Sequence, residues 1–168
     1  MAEANERSRT YTWIDPQPYF ERGIQMSGLD YMRAIASGEI PMPPIGATLN
    51  YRLVEVEAGR AIFEGEPGEF AYNPIGVVHG GYASTLLDSA LGCAVHTTLP
   101  AGSGYTTVQI NVHLVRPITR ETGKVRAEAW VVHSGRQVAT AEARLTDAQG
   151  KLLAHGTTTC AIFPLART

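Results

Sequence analysis

The chain has 168 residues, a formal net charge of −2 and 18% charged residues, a size suited to one domain with a substantial core. It carries no stripe of Lys and Arg that would mark a nucleic-acid footprint, and no apolar run of the roughly 18 residues that cross a membrane. The opening Met-Ala-Glu-Ala-Asn-Glu-Arg lacks the apolar centre of a secretory signal, so the expected setting is cytoplasmic, with neither nucleic acid nor membrane as partner.

Residues 1–26 show no sustained period and read as an arm with little structure of its own. Tyr11, Trp13, Tyr19 and Phe20 suit packing onto the body or onto a neighbouring subunit. Ser27 is placed to cap a short helix over Gly28 to Ser37, with Leu29, Met32 and Ile35 on its buried side and Gly38 past its end. Pro41, Pro43 and Pro44 then predict an extended linker without further helix. From Ala47 the period changes to two. Leu49, Tyr51, Leu53, Val54 and Val56 predict a strand, Gly59 a turn, and Arg60 to Glu66 a second strand.

After the stretch Asn73-Pro-Ile-Gly-Val-Val-His-Gly-Gly81, the residues Ala83, Leu86, Leu87, Ala90, Leu91, Ala94 and Val95 recur with helical spacing. The opposite face offers Tyr82, Ser84, Thr85, Ser89, Gly92, Cys93 and His96, with Asp88 as its one formal charge. A helix facing water carries several charges there, so this one is expected to be enclosed nearly all round. An enclosed carboxylate is either paired or put to use.

Past Pro100 the chain reads as strand and turn. Val108, Ile110, Val112 and Leu114 alternate with Thr107, Gln109, Asn111 and His113, the second set being assigned to the outer face. Strands follow over the residues around Val125 to Val131, Arg136 to Thr146 and Lys151 to Phe163, with Ser134-Gly135 as a two-residue hairpin turn. Ala127, Ala129, Ala139, Ala141 and Ala143 suit a sheet closely approached by a helix. Runs of hairpins imply an antiparallel sheet and the α+β class. A helix of about 17 residues is roughly 25 Å long, matching an eight-residue strand, so a curved sheet can wrap it.

Asn73, the His79-Gly80-Gly81 turn six residues later, and Asp88 nine residues after His79 resemble the hotdog-fold acyl-CoA thioesterases, of the 4-hydroxybenzoyl-CoA thioesterase superfamily. The nearest likeness is to their phenylacetate-degradation-type branch. The resemblance covers about Leu49 to Phe163, so residues 46–165 are expected to form the hotdog domain and residues 1–45 an N-terminal arm and short helix. It implies a long central helix wrapped by an antiparallel sheet, and hydrolysis of an aryl- or medium-chain acyl-CoA to acid and free CoA. No metal or redox cofactor is implied, because coenzyme A is part of the substrate. It also implies a homodimer, and beyond it a homotetramer, in which Asp88 of one subunit faces Gly80 of the other.

By the same resemblance the Gly80 amide is the oxyanion donor and Gly81 opens the approach to it. Asp88 is general base for water or nucleophile, and both roles stay open. Asn73 places an amide near the thioester, His79 supports the loop, and Thr107 helps to place the attacking water. Arg116 and the Ser134-Gly135-Arg136 turn are candidates for the CoA phosphates, since guanidinium pairs well with phosphate. A lone His-Gly-Gly carries little weight, and the Gly-x-Ser-x-Gly elbow of α/β-hydrolases is missing. Two rivals remain: a hotdog-fold hydratase or dehydratase, whose Asp-x-Asn-x-x-His motif is not found, and a non-catalytic acyl-CoA-binding protein. Cys93 and Cys160 read as small core residues, and His96, His113, His133 and His155 show no metal-ligand spacing.

Overall fold

A computed structural model describes residues 5–165; the first four residues of the expected arm lie outside the described residues. Three short helices, α1 (Gln17–Gly23), α2 (Gly28–Ser37) and α3 (Pro44–Leu49), precede strands β1 (Tyr51–Glu57) and β2 (Arg60–Gly65). The long helix α4 (Gly80–His96) follows, then β3 (Ser103–Leu114), β4 (Val125–Ser134), β5 (Val138–Asp147) and β6 (Leu152–Pro164). All strand pairs are antiparallel, in the order β1-β2-β4-β5-β6-β3. The architecture is the α+β hotdog arrangement, one helix packed against the inner face of a curved sheet.

The stripe on α4 makes the core. Leu86, Leu87, Ala90, Leu91, Ala94 and Val95 are fully buried, each large side chain contributing about 1.5–3 kcal/mol. Opposite them, Ala127, Ala129, Ala139, Ala141 and Ala143 are buried on β4 and β5, and their small size lets helix and sheet approach. α2 closes the far end of α4. The Gly28 N–H donates to the Leu99 carbonyl at 3.0 Å, and a Cβ on Gly28 would lie 1.8 Å from the His96 carbonyl oxygen.

Several expectations are corrected. The arm contains a helix, α1, and the proline-rich linker contains another, α3. Pro44 stands at the first helical position, where the missing N–H costs nothing and the fixed φ is already helical. The β4–β5 turn is wider than two residues, with Gly135 to Gln137 between the strands and the Gly135 N–H bonded to the Val138 carbonyl at 2.9 Å.

The register of β3 also differs. A bulge at Val108 separates the pairs Thr107–Cys160 and Gln109–Thr159, and one extra residue reverses which side chains face inward. Thr107 therefore lies on the inner face with buried Cys160, whereas Asn111 and His113 remain outside. β3 is an edge strand, so its inner apolar residues are not fully roofed: Ile110 is 36% and Leu114 57% exposed, and Val108, at the bulge, is 60% exposed.

Candidate active site

The loop from Asn73 to Gly80 is held by its own backbone and by one side chain. The His79 N–H donates to the Ala71 carbonyl at 2.7 Å and the Val78 N–H to that of Ile118 at 2.8 Å. Asn73 Oδ1 accepts from the Ile75 and Val77 N–H groups at 3.1 and 3.2 Å, an Asx-type turn. Its Nδ2 makes no hydrogen bond among the described residues, and Asn73 lines the same hollow as Gly80. One oxygen shapes the loop and the amide nitrogen stays free to donate.

His79 is the N-cap of α4, with φ −60° and ψ 137°, and its Nδ1 accepts the Gly81 N–H at 2.8 Å. An accepting Nδ1 leaves the ring proton on Nε2. A Cβ on Gly81 would come within 2.9 Å of that nitrogen, so the second glycine makes room for the capping imidazole. The Tyr82 N–H bonds to the His79 carbonyl at 2.9 Å. Among the described residues Gly80 N–H is left without a protein acceptor, at the positive end of a 17-residue helix. Gly80 borders a hollow of about 240 Å³ together with Asn73, His79, Leu114 and Arg116.

Asp88 lies about 12 Å further along the helix axis. It is exposed, and Thr107 Oγ1 donates to its Oδ1 at 3.1 Å. Of the residues of α4, Gly81 and Asp88 alone are exposed, so the expected enclosure holds along the helix but fails at its carboxylate. No strand lies beyond β3, so this side of α4 is partly open. Its polar residues are satisfied locally: Ser84 and Thr85 donate back to the Gly80 and Gly81 carbonyls at 3.0 and 2.8 Å, and Ser89 shares a hydrogen bond of 3.0 Å with the Tyr51 hydroxyl.

The remaining candidates divide. The Arg116 guanidinium donates to the Leu152 carbonyl and lines the hollow beside Gly80. Ser134, Gly135 and Arg136 lie at the other end of α4, where the Ser134 and Thr98 hydroxyls are 2.9 Å apart, roughly 25 Å from Gly80. One chain therefore does not bring Arg136 to Arg116, nor Asp88 to Gly80. Leu114, read from sequence only as one of the alternating apolar residues of its strand, covers Gly80, and a Cβ there would meet its Cδ1 at 2.5 Å. Only its place at the end of a strand leading to Arg116 hinted at this.

Other reactive side chains are quiet. Burial pushes the Cys93 thiol up to about 12 and raises that of Cys160, which disfavours thiolate chemistry. Burial pushes His96, set between the Tyr31 and Tyr105 rings, down to about 4. His113 and His155 stack at 4.8 Å on the outer face of the sheet. Among the described residues no group of three or more His, Cys, Asp or Glu is placed to hold a metal ion, and no helix is long and apolar enough to cross a membrane.

The sequence of residues 75–154 matches the model of the thioesterase superfamily. A 1,4-dihydroxy-2-naphthoyl-CoA hydrolase from Listeria monocytogenes is 28% identical over 116 residues, which is 68% of this chain and 92% of that protein. A phenylacetic acid degradation-related protein from Ralstonia eutropha JMP134 superposes with a TM-score of 0.71 at 30% identity, covering 78% of this chain and 98% of the other. A Streptococcus mutans UA159 protein solved bound to acetyl CoA has the same fold, with a TM-score of 0.63 at 24% identity over 70% of this chain and 92% of that one. With the helix, the sheet order and the Asn73-to-Asp88 segment in place, the chain belongs to the hotdog-fold thioesterase superfamily and is a thioester hydrolase.

Proposed function

We propose that the chain hydrolyses acyl-CoA thioesters at a site shared between two subunits, with an aryl- or medium-chain acyl group as substrate. The observation that carries this reading is the Gly80 N–H at the start of α4, which has no acceptor among the described residues. A thioester carbonyl under attack gathers negative charge on oxygen, and a fixed donor at a helix N-terminus offsets it. The named activity of the Listeria relative and the acetyl CoA of the Streptococcus structure support coenzyme A as the carrier.

In this reading Asp88 acts as general base. Thr107 occupies Oδ1, which leaves Oδ2 to take a proton from water. The water oxygen adds to the thioester carbon, the oxyanion rests on the Gly80 N–H, and the C–S bond breaks as the proton passes to the departing CoA sulfur. The free Asn73 Nδ2 donates to substrate or water. Asp88 and Gly80 are about 12 Å apart along one helix, so each meets its counterpart across a two-fold axis. The 12-residue edge strand β3, with exposed Val108, Ile110 and Leu114, supplies a surface suited to such an association. An antiparallel pair of helices also carries the Ser134–Arg136 turn of one chain towards the helix start of the other, near its Arg116.

The test is purified protein against an acyl-CoA panel, with thiol release followed for the native chain and Asp88→Asn. Full-rate hydrolysis by Asp88→Asn would overturn the assignment of the base. A change in enoyl absorbance without thiol release would favour a hydratase, and tight binding without turnover a binding module. A single turnover in H₂¹⁸O places label directly in the product acid; label retained on Asp88 would mean a nucleophile. Light scattering that finds a strict monomer would contradict the shared site.

A further inference from the structure

The N-terminal arm reaches the turn before the active-site loop through two arginines, Arg7 and Arg9, that the reaction scheme does not use. The Arg9 guanidinium donates to the Thr48 carbonyl at 2.6 Å and the Ala47 carbonyl at 2.9 Å, at the end of α3. Its other side lies over the Phe70 ring, with Cζ 3.9 Å from the centroid. Phe70 is the middle residue of a 3-10 turn, Glu69–Ala71. Arg7 and Arg120 grip the same turn through Glu69 at 3.2 and 3.7 Å. The turn then passes directly into the site: the Ala71 carbonyl holds the His79 N–H, and Tyr72 bridges to Val78. Asn73 is three residues beyond Phe70.

We propose that Arg9, acting through Phe70, is a positioning residue that braces the Asn73–Gly80 loop so that the Gly80 N–H and the Asn73 amide hold their catalytic aim. Three segments distant in sequence meet on one guanidinium: the arm, the end of α3 and the turn before Asn73. The planar fork satisfies two carbonyls while its face stacks on an aromatic ring, a combination that lysine cannot reproduce. Arg9 touches no reacting atom. Its effect runs through the Ala71–His79 hydrogen bond, and misplacement of about 1 Å at a reacting centre can lower the rate by up to two orders of magnitude.

The proposal rests on the thioesterase site described above, and its test separates the two. Arg9→Ala and Phe70→Ala should each lower kcat by about tenfold with little change in KM, and the double variant should lose no more than either alone. Arg9→Lys should fail to restore kcat, whereas a role in net charge alone would be rescued by it. Hydrogen exchange at the His79 amide should accelerate in Arg9→Ala while the amides of Leu86 and Leu87 keep their protection. Unchanged kcat, or exchange that rises equally at Leu86 and Leu87, would overturn the brace. If the native protein released no thiol from any acyl-CoA, the functional reading would fall, and the exchange measurement would still decide the brace.

Discussion

Replacing Gly80 by proline isolates the donor on which the reaction scheme depends. Proline is favoured at the first helical position, and it requires extended backbone in the preceding residue. His79 already has φ −60° and ψ 137°. The Gly80 N–H has no acceptor among the described residues, so its removal breaks no hydrogen bond there. The obstacle is steric, because a Cβ at residue 80 meets Leu114 Cδ1 at 2.5 Å. Both Gly80→Pro and Gly80→Ala are therefore made in a Leu114→Ala background. The alanine variant keeps the donor, the proline variant lacks it, and their stabilities should differ by no more than about 1 kcal/mol. Loss of one oxyanion donor should lower kcat by about 10²–10³-fold. Thiol release and thermal unfolding measured side by side read both quantities. A proline variant that melts with its alanine counterpart and keeps more than about a tenth of its kcat would refute the assignment of the Gly80 amide.

Mixing and refolding equal amounts of Asp88→Asn chains and Gly80→Pro chains in the Leu114→Ala background, each inactive alone, should restore about a quarter of native activity, because about half of the dimers are mixed and each holds one intact site. Persistent inactivity would mean that one chain makes a whole site. Thr107→Val should lower kcat by about tenfold by removing a hydrogen bond to a charged group; unchanged kinetics would relieve Thr107 of a role. Stability should fall between about pH 6.5 and pH 4 as unfolded His96 takes up a proton that the folded form, held near 4, refuses. That linkage is worth on the order of 3 kcal/mol below pH 4. Urea unfolding at fixed protein concentration should show a flatter acid limb for His96→Gln, and identical limbs would refute the burial effect.

What the sequence made legible was local. The apolar stripe from Ala83 to Val95 and the alternating alanines of β4 and β5 are short-range patterns, and each states which face meets the core. Ser27 and Gly38 bracket α2 by the same local chemistry, with the Ser27 hydroxyl capping Asp30 and Gly38 at φ 81°. Pro44 misled because proline stops a helix from within yet starts one at its first position. The exposure of Asp88 was not legible because it depends on which strand ends the sheet, a property of topology. A polar helix face looks the same whether it is buried or returns its hydroxyls to its own carbonyls, as Ser84 and Thr85 do. Nor could periodicity locate the bulge at Val108, since the residues on both sides of it alternate perfectly well. Arg9 escaped notice for a related reason: its partners are main-chain carbonyls and one ring, none of which announces itself in a charge pattern.

The extra residue at Val108 divides one strand into two territories with separate obligations. The part before it, ending at Thr107, answers to the helix carboxylate; the part after it, from Gln109 to Leu114, lies along the free edge. A change of side chain in the second territory can retune how copies of the chain meet without turning Thr107 away from Asp88. Deletion of a single residue there would absorb the bulge, because Thr107 and Leu114 are seven positions apart and their partners Cys160 and Ala154 six, and would leave Thr107 facing inward. Substitution from Gln109 to Val112 and loss of one residue both spare the Thr107–Asp88 contact, while Leu114 stays tied to the chemistry through Gly80.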